Sequence, residues 1–404
     1  MTYSEFSFPN DTHIFWSLMI VTYPFITGII AGAFIVSAMY IVFHKKQLWP
    51  IHRFSLLMSF AFLLCATLPL LNHLGHPERA FNVIITPNFR SAIAGFGLIY
   101  NSYFIVLSLE LWFSYRLDII GAYNKSKGWK RRFWGLLTLG VTDVSYESRR
   151  IDERIIYILS IIGIPAACTL HGYVGFLFGS LKSNPWWSTP LMPQVFLLSA
   201  ILSGLALLIL IYLFLGGFYI LERSYECLKT LVFYLWFTML LYIVSEGLEI
   251  LYFYYESSDA WYAIYTLITQ RIWFTFVGLQ IGIGVVIPFT LMTLMIFFRK
   301  WEYMFATMSA IVAAIALFEV WLMRWNIVIG GQLFSKSFVG FRSYHPEFFE
   351  KEGILAAILL TILPLIVLFF LSRLFGVKPE YTGDEIEEKK KSGSWSKIIP
   401  EGAD

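Results

Sequence analysis

The sequence is poor in charge and in cysteine, and each shortage excludes classes of protein. Charged residues make up 14% of the 404 positions, whereas a soluble domain carries about a quarter. The three cysteines, Cys65, Cys168 and Cys227, form no C-x-x-C pair, which argues against a disulfide framework and against a cysteine-ligated cluster. A net charge of only +3 gives no basic footprint for nucleic acid.

The usual motifs for bound redox groups and nucleotides are also lacking. There is no C-x-x-C-H haem motif and no Walker A lysine motif. Of the seven histidines, only His171 lies within a long apolar run, whereas a transmembrane bis-histidine haem needs two that face each other. We therefore expect no metal, haem or iron–sulfur cluster in this chain. Any electrons that reach it would leave through a partner.

Long apolar runs are what the sequence has instead. Hydrophobic residues make up 58% of the chain, and its mean hydropathy is +0.67. A membrane-spanning helix needs about 20 apolar residues, and these runs are continuous rather than alternating, which excludes barrel strands. We predict an all-α integral membrane protein with about nine spans, over residues 14–43, 53–72, 92–115, 154–178, 191–218, 228–254, 272–298, 303–328 and 354–375.

The distribution of Lys and Arg predicts the orientation. Most of them lie in the odd-numbered connections and in the C-terminal tail, and such residues favour the cytoplasmic side. We expect a multi-pass protein of the cytoplasmic membrane with its N-terminus outside and its C-terminus inside. Segment 116–153 would be a basic cytoplasmic linker that includes an amphipathic surface helix, 329–353 an outer loop, and 376–404 a mobile tail.

Polar residues gather at the outer ends of the predicted spans, and ionisable residues inside a membrane indicate function. "LNHLGHPERAF" (71–81) places His73, His76, Glu78 and Arg79 around a Gly–Pro turn. His171 is followed by a loop that contains Asn184 and Trp186, and "FEVWLMRWNIVIGGQ" (318–332) contains Glu319, Arg324, Asn326 and Gln332. Simpler interpretations remain open for each: a solvated interfacial loop, an aromatic belt, and a buried Glu–Arg pair that joins helices.

Two further spans carry polar residues. Span 3 has Tyr100, Asn101 and Tyr103 in its outer half and Glu110 nearer the inner end. Glu246 and Glu249 in span 6 are spaced i,i+3 and share one helix face. These three acids could relay protons, or they could only hydrogen-bond neighbouring helices.

Several of these stretches resemble the NrfD/PsrC family of integral quinone-binding subunits in polysulfide-reductase-like complexes. The resemblance is carried by "FITGIIAGAF", "HLGHPERAFN", "RWNIVIGGQ" and the block "HGYVGFLFGSLKSNPWWSTPLMPQVFLLSAILSGLAL". The last two are most similar to the branch that includes the HybB hydrogenase subunit and DsrP. The resemblance implies two consecutive four-helix bundles, spans 1–4 within residues 1–178 and spans 5–8 within 191–328. Span 9, at 354–375, would be an addition.

The resemblance also implies a function. The protein would be the quinone-reactive subunit of a respiratory oxidoreductase complex that exchanges electrons between membrane quinone, menaquinone or similar, and an outer ferredoxin-like iron–sulfur subunit. Further cytochrome or catalytic subunits could join it, and proton movement could be coupled to the reaction. On the residues alone, a secondary transporter or proton channel and a passive membrane anchor remain alternatives.

We predict one quinone pocket at the outer ends of spans 2, 3, 4 and 8. Proton donors and acceptors would be His76, Glu78, His171 and Glu319, and the proton path would use Glu110, Glu246 and Glu249. Arg79 and Arg324 would stabilise negative charge on the ring oxygens. The remaining quinone-binding residues would be His73, Tyr100, Asn101, Tyr103, Asn184, Trp186, Asn326 and Gln332.

Overall fold

A computed structural model describes residues 14–217, 224–256, 259–298, 302–334 and 340–376. The predicted tail, apart from its first residue, lies outside the described residues. Within those ranges the chain is helical, and the only bridge between extended segments is an isolated one between Phe334 and Phe341. The predicted all-α fold is therefore confirmed.

The helices follow the apolar runs of the sequence. In chain order they are α1 (Leu18–Ile41), α2 (Trp49–Cys65), α3 (Leu68–His73), α4 (Asn82–Ile85), α5 (Ala92–Lys125), α6 (Trp129–Leu137), α7 (Tyr146–Gly179), α8 (Met192–Gly217), α9 (Tyr225–Glu256), α10 (Asp259–Gln270), a π-helix (Phe274–Val286) continued by α11 (Ile287–Phe297), α12 (Glu302–Val328) and α13 (Ile354–Phe375). Nine segments of the described chain are long and apolar enough to cross a membrane, with α2–α3 and the π-helix–α11 unit each forming one of them.

Two of the spanning helices extend further at their predicted inner ends than hydropathy indicates. Buried Arg116, beyond the apolar part of α5, donates from Nε to Asp152 of α7 (2.7 Å) and from Nη1 to the carbonyl of Asp143 (2.6 Å). Hydrogen bonds from the backbone and side chain of Ser145 lower the pKa of Asp143. Segment 116–153 is thus largely helical, and α6 lies against α5, where Trp112 Nε1 donates to the carbonyl of Leu137 (2.8 Å).

Each half of the chain has its own set of helix contacts. In the first half α1 packs on α2 and α7, and α5 also packs on α2 and α7. In the second half α8 packs on α9 and α12, and α11 packs on the same two helices, while α13 lies against α2. Helices α1 and α7 of the first half also contact α8 of the second, and the division into two bundles stays a prediction.

The two halves meet at a close approach of backbones between α1 and α8. A Cβ atom added to Gly32 would lie 2.7 Å from the Cα atom of Gly204 and 2.8 Å from the carbonyl oxygen of Ile201. Only glycine leaves room for this approach, which resembles the small-residue contacts typical of membrane helices. It fixes the first half against α8, the helix that also carries Phe196 and Ser199, two partners of the buried Arg324.

Candidate functional site

A buried arginine and a buried histidine lie together where α7, α8 and α12 meet. Nη2 of Arg324 is 3.3 Å from Nε2 of His171 and donates to Ser199 Oγ (2.7 Å) and to the carbonyl of Phe196 (3.2 Å). The guanidinium carbon lies 3.9 Å from the centroid of the Phe196 ring. Arg324 and His171 are 0% and 1% exposed. The structure therefore brings together two residues that lie 153 positions apart in the sequence.

Several polar atoms in this group have no hydrogen-bond partner. They are Nε and Nη1 of Arg324 and Nδ1 of His171. Buried polar atoms are nearly always paired, because leaving one unpaired costs about 1–3 kcal/mol, and more when it is charged. These three unpaired nitrogens, on two adjacent side chains, could donate hydrogen bonds to a carbonyl oxygen or to water.

A series of hydrogen bonds links α12, α9 and the π-helix. The Tyr242 hydroxyl lies 2.7 Å from a carboxyl oxygen of Glu246 and 2.7 Å from one of Glu319. Nε2 of Gln280 donates to the same Glu246 oxygen (2.7 Å), and Nδ2 of Asn326 donates to Oε1 of Gln280 (2.8 Å). A phenol has one hydrogen to donate, so with both contacts made as hydrogen bonds one of the two carboxyl groups is protonated. The arrangement can hold and pass a proton.

The π-helix has a direct part in this arrangement. It carries Gln280 toward Glu246, and it places Gly284 against Glu319, where a Cβ atom would lie 2.6 Å from Glu319 Cγ. π-helical turns are uncommon and are frequent at functional sites. Here the wide turn and the missing side chain leave room for a buried carboxyl group.

A narrow cavity adjoins this series of hydrogen bonds. Among the residues that line it are Trp186, Glu246, Glu249, Phe276, Gln280 and Ile327. Its free volume is about 20 Å³, which is room for about one water molecule. Glu249 is 5% exposed and its Oε1 has no partner. Two carboxyl groups and an amide thus face a space walled mainly by aromatic and aliphatic side chains.

The remaining polar residues of the α7–α8 connection and of the end of α12 form hydrogen bonds that hold these segments together. Nδ2 of Asn184 donates to the carbonyl of Gly331 (2.7 Å), and Nε1 of Trp187 donates to the carbonyl of Ile327 (2.7 Å). The side chain of Gln332 bonds both the amide and the carbonyl of Trp16 (3.0 and 2.9 Å). These contacts fix the end of α12, and with it Asn326 and Arg324, against the α7–α8 connection and against the residues that precede α1.

The segment 71–81 forms a separate group. His76 and Glu78 pair with each other at 2.9 Å, their side chains are 68% and 65% exposed, and Arg79 is exposed as well. His73 Nδ1 lies 2.8 Å from Glu352, which also contacts Ser17 Oγ. The contacts of this segment thus lead to the start of α13 and not to Arg324.

The residues predicted in span 3 have partners within the first half of the protein. Tyr100 donates to the carbonyl of Leu63 (2.6 Å), and Asn101 donates to the carbonyl of Gly97 one turn earlier (2.7 Å). The hydroxyls of Tyr103 and Ser59 are 3.3 Å apart. Ser160 donates to Glu110 (2.6 Å), whose second carboxyl oxygen is buried without a partner.

Sequence reasoning missed four residues of the site: Phe196, Ser199, Tyr242 and Gln280. Two of them carried a usable signal. Gln280 is an amide within the apolar run "VGLQIGIGVV", and a polar side chain is costly there. Tyr242 precedes Glu246 by four residues and therefore shares its helix face. Phe196 and Ser199 carried no such signal, because membrane helices commonly contain both residue types.

Among the described residues, no group of three or more His, Cys, Asp or Glu side chains could hold a metal ion. What the fold and site define is a polytopic helical membrane protein with a buried network of hydrogen-bonded ionisable and amide side chains. Residues 8–336 match the family model described as "Polysulphide reductase, NrfD". The protein belongs to this family.

Three relatives illustrate its similarity to subunits of oxidoreductases. It is 34% identical over 207 residues to a subunit of the selenate reductase of Mesobacillus selenatarsenatis, a match that covers 50% of this protein and 49% of the relative. It is 27% identical to a subunit of the polysulfide reductase of Wolinella succinogenes, over 80% of this protein and 95% of that one. It is 22% identical to the Hdr-like menaquinol oxidoreductase integral membrane subunit of Archaeoglobus fulgidus, over 93% and 88%. The match to the first relative thus spans about half of that relative's length.

Proposed function

We propose that this protein is the quinone-reactive membrane subunit of a respiratory oxidoreductase complex. The observation that carries this is the set of unpaired polar atoms on Arg324 and His171, next to a carboxyl network that borders a narrow cavity. The names of the relatives, two reductase subunits and a menaquinol oxidoreductase subunit, agree with a membrane redox role. Electrons would pass between membrane quinone and an iron–sulfur partner on the outer face.

The donor set fits a quinone head group. Such a ring has two carbonyl oxygens, and when bound it supplies two-electron chemistry that takes up or releases two protons. Arg324 and His171 have unpaired nitrogens for the ring oxygens. The Gln280 amide has a second N–H beside the one that it donates to Glu246, and Trp186 and Phe276 line the cavity with flat apolar faces. The cavity is narrow, so we expect flanking side chains such as Trp261 to move aside when the ring enters.

Protons would be exchanged by the carboxyl groups. Glu249 and Glu246 line the cavity, and Tyr242 connects Glu246 to Glu319. A positioned acid or base next to a reacting oxygen contributes about 10²–10⁴-fold in rate. Glu110, with its unpaired oxygen in the first half, would belong to a separate path toward the inner side, and its use would make the reaction move protons across the membrane.

The outer end offers a place for the partner. A cleft of about 410 Å³ lies there, lined among others by Trp16, Ser183, Asn184, Pro185 and Gln332. The neighbouring segment 71–81, with His73, His76, Glu78 and Arg79, and the span-3 residues Tyr100, Asn101 and Tyr103 would form the outer wall of the first half. The Lys and Arg residues concentrated at the opposite end favour the cytoplasmic side, which supports an orientation with the N-terminus outside.

The test is quinol oxidation by the purified complex in which this subunit carries Arg324→Leu, His171→Ala or Glu249→Gln. We expect loss of turnover with each, at unchanged assembly of the complex. Arg90→Leu, an exposed outer arginine, is the matched control and should retain activity. Full turnover in all three site variants would contradict the proposal and favour a passive membrane anchor. Ion flux through this protein alone in liposomes would favour a transporter.

A further inference from the structure

A second polar cleft lies at the opposite end of the helices, where the proposed quinone function has no use for it. It is formed by the ends of α1, α2, α5 and α7 and has a volume of about 480 Å³. His44, Lys46, Arg53, Glu153 and Tyr157 are among its walls. An adjoining cleft of about 420 Å³ shares Glu153 and Tyr157 and adds Arg150 and Arg154.

The charge of this double cleft is positive. Lys46, Arg53, Arg150 and Arg154 stand against Glu153 and against Asp118, the ion-pair partner of Arg53. His44 adds a further polar ring to the walls. A concave surface with one prevailing sign of charge attracts ions of the opposite sign. The cleft therefore favours an anion.

Two buried atoms in the cleft have no partner. Ser37 is 0% exposed, lines the cleft, and its Oγ makes no hydrogen bond. Arg53 donates from Nη2 to the carbonyl of Ser114 (3.2 Å), and its guanidinium lies 4.2 Å from the Tyr115 ring centroid, but its Nε is unpaired. A fixed guanidinium with a free N–H and a buried hydroxyl are the groups that bind phosphate oxygens.

The walls of the cleft are amphipathic and lead into the membrane. The rings of Tyr40 and His52 stack at 4.0 Å. His44 lies parallel to Tyr157 at 6.5 Å, and its positive φ of 53° is uncommon for a residue with a side chain. On the next turns of α7 the exposed side chains are apolar, namely Ile158, Ile161 and Ile162. A polar anion site is thus continuous with an apolar track.

We propose that this double cleft binds an anionic phospholipid, with its phosphodiester group between Lys46, Arg53 and the arginines of α7, and an acyl chain along α7. Basic pockets between membrane helices on the cytoplasmic side are known to suit such head groups. The acyl chain distinguishes this ligand from free phosphate, which would use the polar part of the cleft alone.

The test is native mass spectrometry of the purified, delipidated complex titrated with phosphatidylglycerol and, separately, phosphatidylcholine. We expect at least tenfold preference for phosphatidylglycerol. The triple variant Lys46→Gln/Arg150→Gln/Arg154→Gln should lose this preference, since each basic group near a membrane surface changes affinity about fivefold. Arg53 is left intact because it is paired with Asp118. Equal binding of both lipids by the unaltered complex would overturn the proposal.

Matched controls separate the cleft from general surface charge. Lys127→Gln/Lys130→Gln/Arg132→Gln removes three exposed charges at the same end of the molecule and should change binding less than twofold. An equal loss in both triple variants would overturn the proposal. Glu153→Gln removes the acid shared by both clefts and should tighten binding about fivefold, which guards against a merely misfolded triple variant. Displacement of the lipid by 20 mM inorganic phosphate would assign the site to free phosphate instead.

Discussion

The two histidine sites of this protein differ in almost every physical respect. His76 has its acidic partner two residues away, and both side chains face water. His171 is buried against an arginine from a distant helix, and both residues keep unpaired nitrogens. An exposed pair contributes little, because water competes for it. A buried polar atom without a partner costs free energy, and in a membrane its presence indicates function. Burial and unpaired atoms, more than closeness in sequence, therefore identify the candidate site.

The largest expected effect is at Arg324. Replacing it by Leu removes the N–H donors of the proposed quinone site, and loss of one such donor typically costs about 10²–10³-fold in rate. We expect quinol oxidation to fall by at least that much. Arg324→Lys should not restore it. An ammonium group carries its N–H donors on a single nitrogen, whereas the planar guanidinium contacts Ser199 and Phe196 through Nη2 and keeps Nε and Nη1 for a ligand. Wild-type turnover in Arg324→Leu would show that the buried His171–Arg324 group matters no more for the reaction than the exposed His76–Glu78 pair.

The next effect concerns the proposed proton relay. Tyr242→Phe deletes the hydroxyl that joins Glu246 to Glu319, and we expect turnover to fall about 10–100-fold, within the range of a lost proton-transfer group. Rates of proton release during quinol oxidation, followed with a pH indicator in proteoliposomes, should fall in parallel. Tyr262→Phe is the control, because that side chain is 70% exposed.

A smaller effect, on stability, is expected for the hydrogen bonds that join the α7–α8 connection to the end of α12. Asn184→Ala removes the bond to Gly331 and the acceptor for the amides of Trp186 and Trp187. We expect a loss of about 1–3 kcal/mol in the free energy of unfolding, measured by thermal denaturation in detergent, with turnover per folded molecule within about threefold of normal. A selective loss of turnover at unchanged stability would move Asn184 into the quinone site. The exposed Asn124→Ala serves as reference.

The smallest effect is expected in the exposed pair. His76→Ala and Glu78→Gln should change stability by less than about 0.5 kcal/mol and quinol oxidation by less than about twofold, since neither contacts the buried network. Steady-state kinetics at low and high salt will show whether either variant alters partner association instead. A tenfold loss in His76→Ala would give the outer loop a direct part in the reaction and reverse the ranking of the two histidine sites.

Hydropathy was sufficient to predict the nine spans, because burial in lipid demands length and apolarity regardless of partners. It failed at the predicted inner ends of α5 and α7, because Arg116 and Asp152 are charged as loop residues often are, but form an ion pair between the two helices. The joint importance of His171 and Arg324 could be inferred from the cost of polar groups in a membrane. Their actual neighbours, Ser199 and Phe196, depend on helix packing, which the sequence does not state.

The single hydrogen of the Tyr242 hydroxyl, which lies between Glu246 and Glu319, sets the direction of both hydrogen bonds. A phenol that gives its hydrogen to one carboxyl group must accept from the other, so the two bonds always point the same way along the relay. When a proton enters at one end and another leaves at the far end, both bonds reverse. The hydroxyl must then rotate back before the next proton can follow in the same direction. A proton relay through Tyr242 would therefore include a resetting step, whose rate is the rate at which one buried hydroxyl group rotates.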